Sequence, residues 1–485
     1  MTKRLLVILL FVFMSSNLYS YTINFDEAMD LAVKNNKELK AKELSVQKAK
    51  QDLKEAKSYQ KGKFDFKHTL SNTNHAGYVF GMKLASREAN FGDFGFKDFL
   101  GGIGQMMGAA GGNFNQFSAM MSNPSAQKQM LDTEPDDLNN PDSRTNFESK
   151  LVYEYPLYVG GKLKSAGKMA SLQIMANEAK YQSDTKKLGI EVVKAYNGAV
   201  TAKSFIKLTE ESKKVALGFI KKAQKLYDDG LARMIDVKQA KMAYQTIDAK
   251  LAEAKANYKL AIAYLQFITN NENIDDVADI KNFNLNSDNL AYLQEKAVQD
   301  RDDYKWMNFN LQTMKEKINF DSSNKYPVIG AHAEYGFNDD SLTLSTKKDF
   351  YLVAVGLEYT IFDGYRTSIA NQRAKIEYQK VKHYQDYMKD GISLEVKKYF
   401  VQIKTQEKVL KEKQKVAVMA DEIMTEMEEL YSNNLRFRTN MMYLLMQLGN
   451  MVQAKADVIM STYDKSFAEA NLKLALGKSL QADQE

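Results

Sequence analysis

The 485-residue sequence predicts a mainly α-helical protein with a few β-strands of bilayer-crossing length, built from one helix-strand-strand-helical-hairpin unit written twice. Three observations predict this. Glu154-Tyr155-Pro156-Leu157-Tyr158-Val159-Gly160 returns as Glu358-Tyr359-Thr360-Ile361-Phe362-Asp363-Gly364, and Leu226-Tyr227-Asp228-Asp229-Gly230-Leu231 returns as Leu430-Tyr431-Ser432-Asn433-Asn434-Leu435, each 204 residues later. Two segments that keep one offset enclose equal lengths of chain, the mark of a duplicated structural unit. Second, four long stretches repeat apolar residues at helical spacing. Third, short segments alternate apolar and polar residues over about the nine to eleven positions that cross a bilayer as a tilted strand.

Residues 1–20 read as an export signal: Lys3 and Arg4, the apolar run Leu5 to Met14, then small polar residues with a cut expected near Ser20. The chain has no cysteine, which excludes an N-terminal lipid anchor, a disulfide framework and a thiolate metal site. After the signal no apolar run approaches the roughly eighteen residues of a spanning helix, so a spanning region has to be β-barrel. Lys and Arg only slightly outnumber Asp and Glu, 67 to 61, and alternate with them along helices. That pattern excludes the clustered basic patch of a nucleic-acid binder.

The first repeat is assigned to 21–286 and the second to 287–485. Each opens with an amphipathic helix, Phe25 to Tyr59 and Leu290 to Phe320, in which Ala32-Val33 matches Ala297-Val298 at an offset of 265. A first strand follows: Lys63 to Asn72, with Phe64, Phe66 and Leu70 on one face, and Pro327 to Phe337. The second strand carries Phe147, Ser149, Leu151, Tyr153, Tyr155 and Leu157 on one face, repeated as Tyr351, Val353, Val355, Leu357, Tyr359 and Ile361. Four strands cannot close a barrel, and open edges are not tolerated in lipid, so the chain is expected to associate with copies of itself. The difference between the offsets 265 and 204 places 61 extra residues in the first repeat. They fall in 72–144, read as a long surface loop rich in Gly, Asn and Met.

The hairpins come next. No proline interrupts Lys162 to Leu226, and a continuous helix of that length spans roughly 100 Å at 1.5 Å per residue. Its stripe Leu188, Val192, Ala195, Ala199 matches Ile392, Val396, Tyr399, Ile403. Asp228-Asp229-Gly230 turns the chain into a returning helix, Ile235 to Phe267, and Asn433-Asn434 is the counterpart turn.

No catalytic constellation is present. His68, His75, His332 and His383 are scattered without ligand spacing, and Gly101 to Gly108 lacks the Lys and Ser/Thr of a phosphate loop. Enzyme activity, a cofactor and a resident metal are therefore not expected. Met106, Met107, Met120, Met121 and Met130 could hold Cu(I) through thioethers, but methionine equally packs irregular surfaces, and packing is the reading adopted.

Helix, strand, strand and helical hairpin, twice over behind a signal, resemble the TolC-like outer membrane efflux proteins across essentially the whole mature chain. The carriers are Val79-Phe80-Gly81-x-Lys83-Leu84, Leu138-Asn139-Asn140-Pro141, Pro156-Leu157-Tyr158-x-Gly160-Gly161, Tyr326-Pro327, Tyr227-x-x-Gly230-Leu231 and Asp236-Val237. The resemblance implies a homotrimer with a 12-stranded barrel in the outer membrane of a Gram-negative cell, continued by a long periplasmic α-helical barrel. A periplasmic adaptor and, through it, an inner-membrane pump would be the partners, with outer-membrane lipid around the barrel. The function so implied is the exit duct of a tripartite export system for small molecules. A duct for type I protein secretion is the alternative that the same tunnel serves. A soluble periplasmic coiled-coil adaptor is disfavoured, because it would carry one hairpin.

Site residues follow by position. Gly230, Leu231, Asn434 and Leu435 are the adaptor-docking tips. Asp236, Tyr431 and Arg436 are candidates for links that hold the periplasmic gate shut, with Asn440 placed where the first repeat has Asp236. Leu151, Tyr153, Tyr155, Tyr351, Val353, Val355 and Tyr359 are the lipid-facing set of the barrel.

Overall fold

The computed structural model describes residues 21–283, 289–432 and 440–481. In chain order the elements are β1 (Thr22–Ile23), α1 (Phe25–Asn35), α2 (Lys37–Ser58), β2 (Lys63–Thr73), α3 (Ala76–Ala85), α4 (Phe96–Ala109), α5 (Phe114–Met121), α6 (Pro124–Leu131), α7 (Asp136–Asn139) and β3 (Arg144–Val159). There follow α8 (Lys162–Asp228), α9 (Met234–Thr269), β4 (Asp276–Val277), α10 (Leu290–Asp300), α11 (Asp302–Ser322), β5 (Val328–Asp339), β6 (Asp349–Glu358), α12 (Arg366–Ser432) and α13 (Met441–Ala475). The duplication is visible in the bounds. α8 and α12 are each 67 residues long, and both their ends differ by 204.

Each opening helix was expected to be continuous, yet each is broken, at Asn36 and at Arg301, positions 265 apart. Both residues leave the helical region, with ψ 123° and 126°. The breaks have local causes. The Asn36 side chain accepts from the Leu39 N–H at 3.0 Å, capping α2, and donates to the Ile268 carbonyl at 3.1 Å. The Arg301 guanidinium donates to Asp303 at 2.7 Å and 3.0 Å and also reaches Glu395. Burial pushes the Asp303 carboxyl up, but the Arg301 bonds outweigh that and hold it below the ordinary carboxylate range.

The chain divides into two compact units, and neither is a repeat: both repeats contribute to both units. One draws on Met1–Lys50, Ser171–Thr313 and Glu377–Glu485, the other on Gln51–Ala170 and Met314–Ile376. The helical unit holds three apolar clusters. One joins Ala28 and Ala32 of α1 to Val192, Ala195 and Ala199 of α8 and Leu265 of α9. Its counterpart in the second repeat joins Leu293 and Ala297 of α10 to Ile392, Val396 and Ile403 of α12. The paired stripes anticipated from helical spacing are thus the buried faces. A third cluster lies where the hairpins turn, and takes residues from α8, α9, α12 and α13. A two-residue parallel ladder, β1 with β4, was not anticipated; it is too short to show a period.

The second unit is built on an antiparallel sheet of order β2-β3-β5-β6. Two boundaries differ from expectation. Tyr359 and Ile361 lie beyond β6, which ends at Glu358. Leu157 sits in a β-bulge of the β3–β5 ladder, so that Tyr155 opposes Ala331 while Tyr158 opposes Ile329. The extra residue shifts the alternation, and Tyr158 takes the place on the face that simple period two would give to Leu157.

The segment 72–144, read as a loop, instead folds as a helical excursion of α3 to α7. Asparagines write its starts: Asn113 caps α5 and Asn123 caps α6, with Pro124 as the first helical residue. Its two ends meet. A side chain at Gly95 would come within 2.2 Å of Pro135 Cβ, and the Asp136 N–H donates to Asp98 at 3.1 Å. Deleting 97–134 therefore joins points already in contact, and a short closure costs little. Protein carrying that deletion is expected to fold at near wild-type yield; loss of folded protein would show that the excursion is part of the core beside the sheet.

Candidate functional site

Two regions carry the candidate residues, one in each unit. In the sheet, directly opposed residues share a face, so the ladder fixes what each face presents. One face runs Phe64–Tyr153–Ala333–Val353 in one row and Phe66–Leu151–Tyr335–Tyr351 in the next, with Tyr155–Ala331–Val355 on the other side. Leu151, Tyr153, Tyr155, Tyr351, Val353 and Val355 are all on this face and all exposed, Val353 by 71%. Tyr158, Tyr335 and Leu357 extend it. The rows from Tyr158 to Leu151 cover roughly 20 Å at 3.4 Å per residue, close to the apolar band of an outer-membrane barrel.

The opposite face carries its charges on β2, β3 and β5. Its rows are Lys63–Glu154–His332–Ala354, Asp65–Val152–Glu334–Leu352 and Lys67–Lys150–Gly336–Phe350, so β6 is apolar there. Lys150 bonds Glu148 at 2.7 Å and lies 3.3 Å from Glu334, and His332 stands between Glu154 at 3.9 Å and Glu334 at 3.5 Å. A concave surface of about 840 Å³ opens on this side, lined by Lys63, Glu154, His332 and Glu358 among others. An aqueous sheet with one covered side would hide its aromatics and expose its charges. Here the aromatic face is bare, which marks a face made for lipid or for a partner. Among the described residues no helix is long and apolar enough to cross a membrane. Both outer strands, β2 and β6, present unpaired edges within the chain.

The excursion is fastened at the far end of this sheet. Arg87 donates to the Lys347 and Asp349 carbonyls at 2.9 and 2.7 Å, while Glu88 takes bonds from Arg144 and Lys348. Lys348 also reaches Asp339 at 2.6 Å. Partial burial pushes Glu88 up, but bonds from Lys348, Arg144 and Ser86 bring it below the usual carboxylate range. Glu88, Asp339 and Asp340 gather closely enough to hold a cation, yet the Lys348 ammonium already bridges the first two.

At the other region, the first hairpin tip, Gly230 has φ 70°, the left-handed conformation that glycine adopts without strain. The N–H groups of Leu231 and Ala232 both return to the Leu226 carbonyl, at 2.7 and 2.8 Å, closing α8 as its sequence indicates. Leu231 is left 41% exposed. Its counterparts Asn434 and Leu435, and Arg436 of the gate set, lie outside the described residues.

The gate set is rearranged by the structure. Asp236 is buried, and its carboxylate accepts from the Arg233 N–H at 3.2 Å and from the Arg233 guanidinium at 3.4 Å. That bonding serves the start of α9, where a negative charge is favoured. Tyr431 is only 3% exposed, in the cluster with Phe219, Val237, Met441 and Leu444. Its ring thus already joins the two hairpins within one chain, a contact that spacing alone does not reveal. Asn440 is the N-cap of α13, accepting from the Tyr443 N–H at 3.0 Å. Asn440 keeps the 204 offset from Asp236, as do the buried positions that follow, Val237 with Met441 and Ala240 with Leu444 in one cluster, although α9 begins at Met234 and α13 only at Met441. A further link was missed from sequence, the Lys222–Glu428 ion pair between α8 and α12. No sequence period marks it, because its partners are 206 residues apart.

Residues 116–271 match the family described as outer membrane efflux protein. No curated protein matches the chain. Among solved structures, CusC superposes with a TM-score of 0.73 at 13% identity, over 96% of each chain. The CmeC outer membrane channel of Campylobacter jejuni gives 0.72 at 15% identity, over 95% of this chain and 87% of that one. VceC from Vibrio cholerae, an outer membrane protein, gives 0.71 at 12%, over 94% and 96%. Identities this low bear on the fold.

Proposed function

We propose that this chain, a TolC-like outer membrane efflux protein by its fold and by the family signature over residues 116–271, is the exit duct of a tripartite export system for small molecules. The observation that carries the reading is the two-faced sheet with unpaired edges at β2 and β6. Three copies pairing those edges give a twelve-stranded barrel, an even-numbered closed ring with aromatics toward lipid and charges toward a water-filled passage. Export then needs no chemistry from the duct. It needs a continuous polar path and a connection to a pump, which a periplasmic adaptor makes at the hairpin tips. Deleting the gene and following intracellular accumulation of a fluorescent cationic dye tests this. Raised accumulation, restored by the intact gene, is expected; unchanged accumulation with loss of a secreted protein would point to type I secretion instead.

The passage is proposed to rest closed near the tips, with Tyr431, Arg436 and Asp236 among the links. A single link contributes little, but three symmetric copies add, and a few kcal/mol keeps a two-state gate mostly closed. Arg436→Ala combined with Tyr431→Phe is expected to raise single-channel conductance in a planar bilayer. The phenylalanine keeps the buried ring and removes only the hydroxyl, so the effect would not come from lost packing. Conductance equal to wild type would leave these residues as hairpin packing and surface contacts.

A further inference from the structure

The helical excursion between β2 and β3 carries a surface that its own chain leaves bare. From Phe96 to Leu131 the only charged residues are Lys97, Asp98 and Lys128, in a chain that is 26% charged. α4 and α5 bury no side chain and α6 buries only Met130, so these short helices have almost no core of their own. Meanwhile Phe91 is 80% exposed, Phe114 71% and Leu131 78%. Short helices without a core are marginal in water, and so bare an apolar surface is not that of a solvated loop. Its root, by contrast, is fastened through Arg87, Glu88, Arg144 and Lys348. A fixed root with an uncovered apolar head is the form of a docking surface.

We propose that the occupant is the same excursion of a second copy, so that in the assembled channel the excursions pack on one another through Phe114, Leu131 and α4 at the rim. The proposal rests on the trimeric reading above. Two observations select a copy of this chain over lipid. The excursion leaves from the end of β2, and its root is fastened over the start of β6 through Arg87, so it reaches both unpaired edges of the sheet, and a copy that sets its β6 against this β2 brings its own excursion alongside. The charges of the segment nearly cancel, leaving no like-charge repulsion between identical surfaces. A helix lying in a membrane interface would instead carry Lys and Arg along its polar face, where this segment has Gly, Asn, Gln and Ser.

The chain has no cysteine, so Phe114→Cys and Leu131→Cys each install a single thiol. Purified protein, first shown by native mass to be trimeric, is treated with a short bis-maleimide at high dilution. One thiol per chain permits one link, so the expected product on a denaturing gel is a covalent dimer containing more than half of the protein for at least one variant. Less than a tenth linked in both variants, with trimers intact and the thiols reactive to a monofunctional maleimide, overturns the inference and leaves the trimeric reading standing. Labelling of both thiols by a lipid-borne photoprobe in proteoliposomes, without cross-linking, overturns it in favour of the membrane. Absence of trimers overturns the reading it rests on.

Discussion

Val353→Arg is expected to abolish trimer assembly. Val353 sits mid-strand on β6, directly opposite Ala333 in the row that also holds Tyr153 and Phe64, and its side chain is exposed on the aromatic face. If that face meets hydrocarbon, an arginine near the midplane costs about 2 to 4 kcal/mol in each chain. Three copies then threaten most of the net stability of a typical fold. The control is its neighbour. Ala354 opposes His332 on the charged face, where Ala354→Arg would project into water. Detergent extracts run on native gels should show trimers for Ala354→Arg and not for Val353→Arg; the opposite pattern would reverse the faces of the sheet, and equal yields would remove the sheet from the membrane.

Leu231→Asp together with Leu435→Asp should abolish export without harming assembly. Leu231 lies just past a turn that is closed by backbone bonds, so an aspartate there leaves the turn intact. What it changes is the contact proposed with the adaptor. A carboxylate pressed against an apolar partner and left unpaired costs several kcal/mol, and about 3 kcal/mol at each contact weakens docking roughly a hundredfold. With six such tips in the proposed trimer, dye efflux should fall to the level of the gene deletion while the yield of assembled protein is unchanged. Efflux at the wild-type rate would exclude the tips as the docking point.

Much of this architecture is legible in the chain because it depends on short-range periodicity. Val192 and Val396, Ala32 and Ala297 recur at fixed offsets and helical spacing, and each pair is buried. Period two placed Leu151, Tyr153, Tyr155, Tyr351, Val353 and Val355 on one face, because alternation in a strand admits only two faces. Failures came where one residue breaks a period: the bulge at Leu157 and the helix breaks at Asn36 and Arg301.

The sequence by itself determined the duplicated plan, the four hairpin helices, the strands with their apolar faces, and the turn at Gly230. Only the tertiary structure decided that the compact units cut across the repeats, that 72–144 is helical, and that Tyr431 is a buried bridge between hairpins rather than a surface link. The physical reason is range. A repeating backbone geometry writes its period into neighbouring residues, whereas the Lys222–Glu428 contact, or a cluster that gathers Tyr431 and Phe219, is made by segments some two hundred residues apart that share no period, and exists only once both helices are packed.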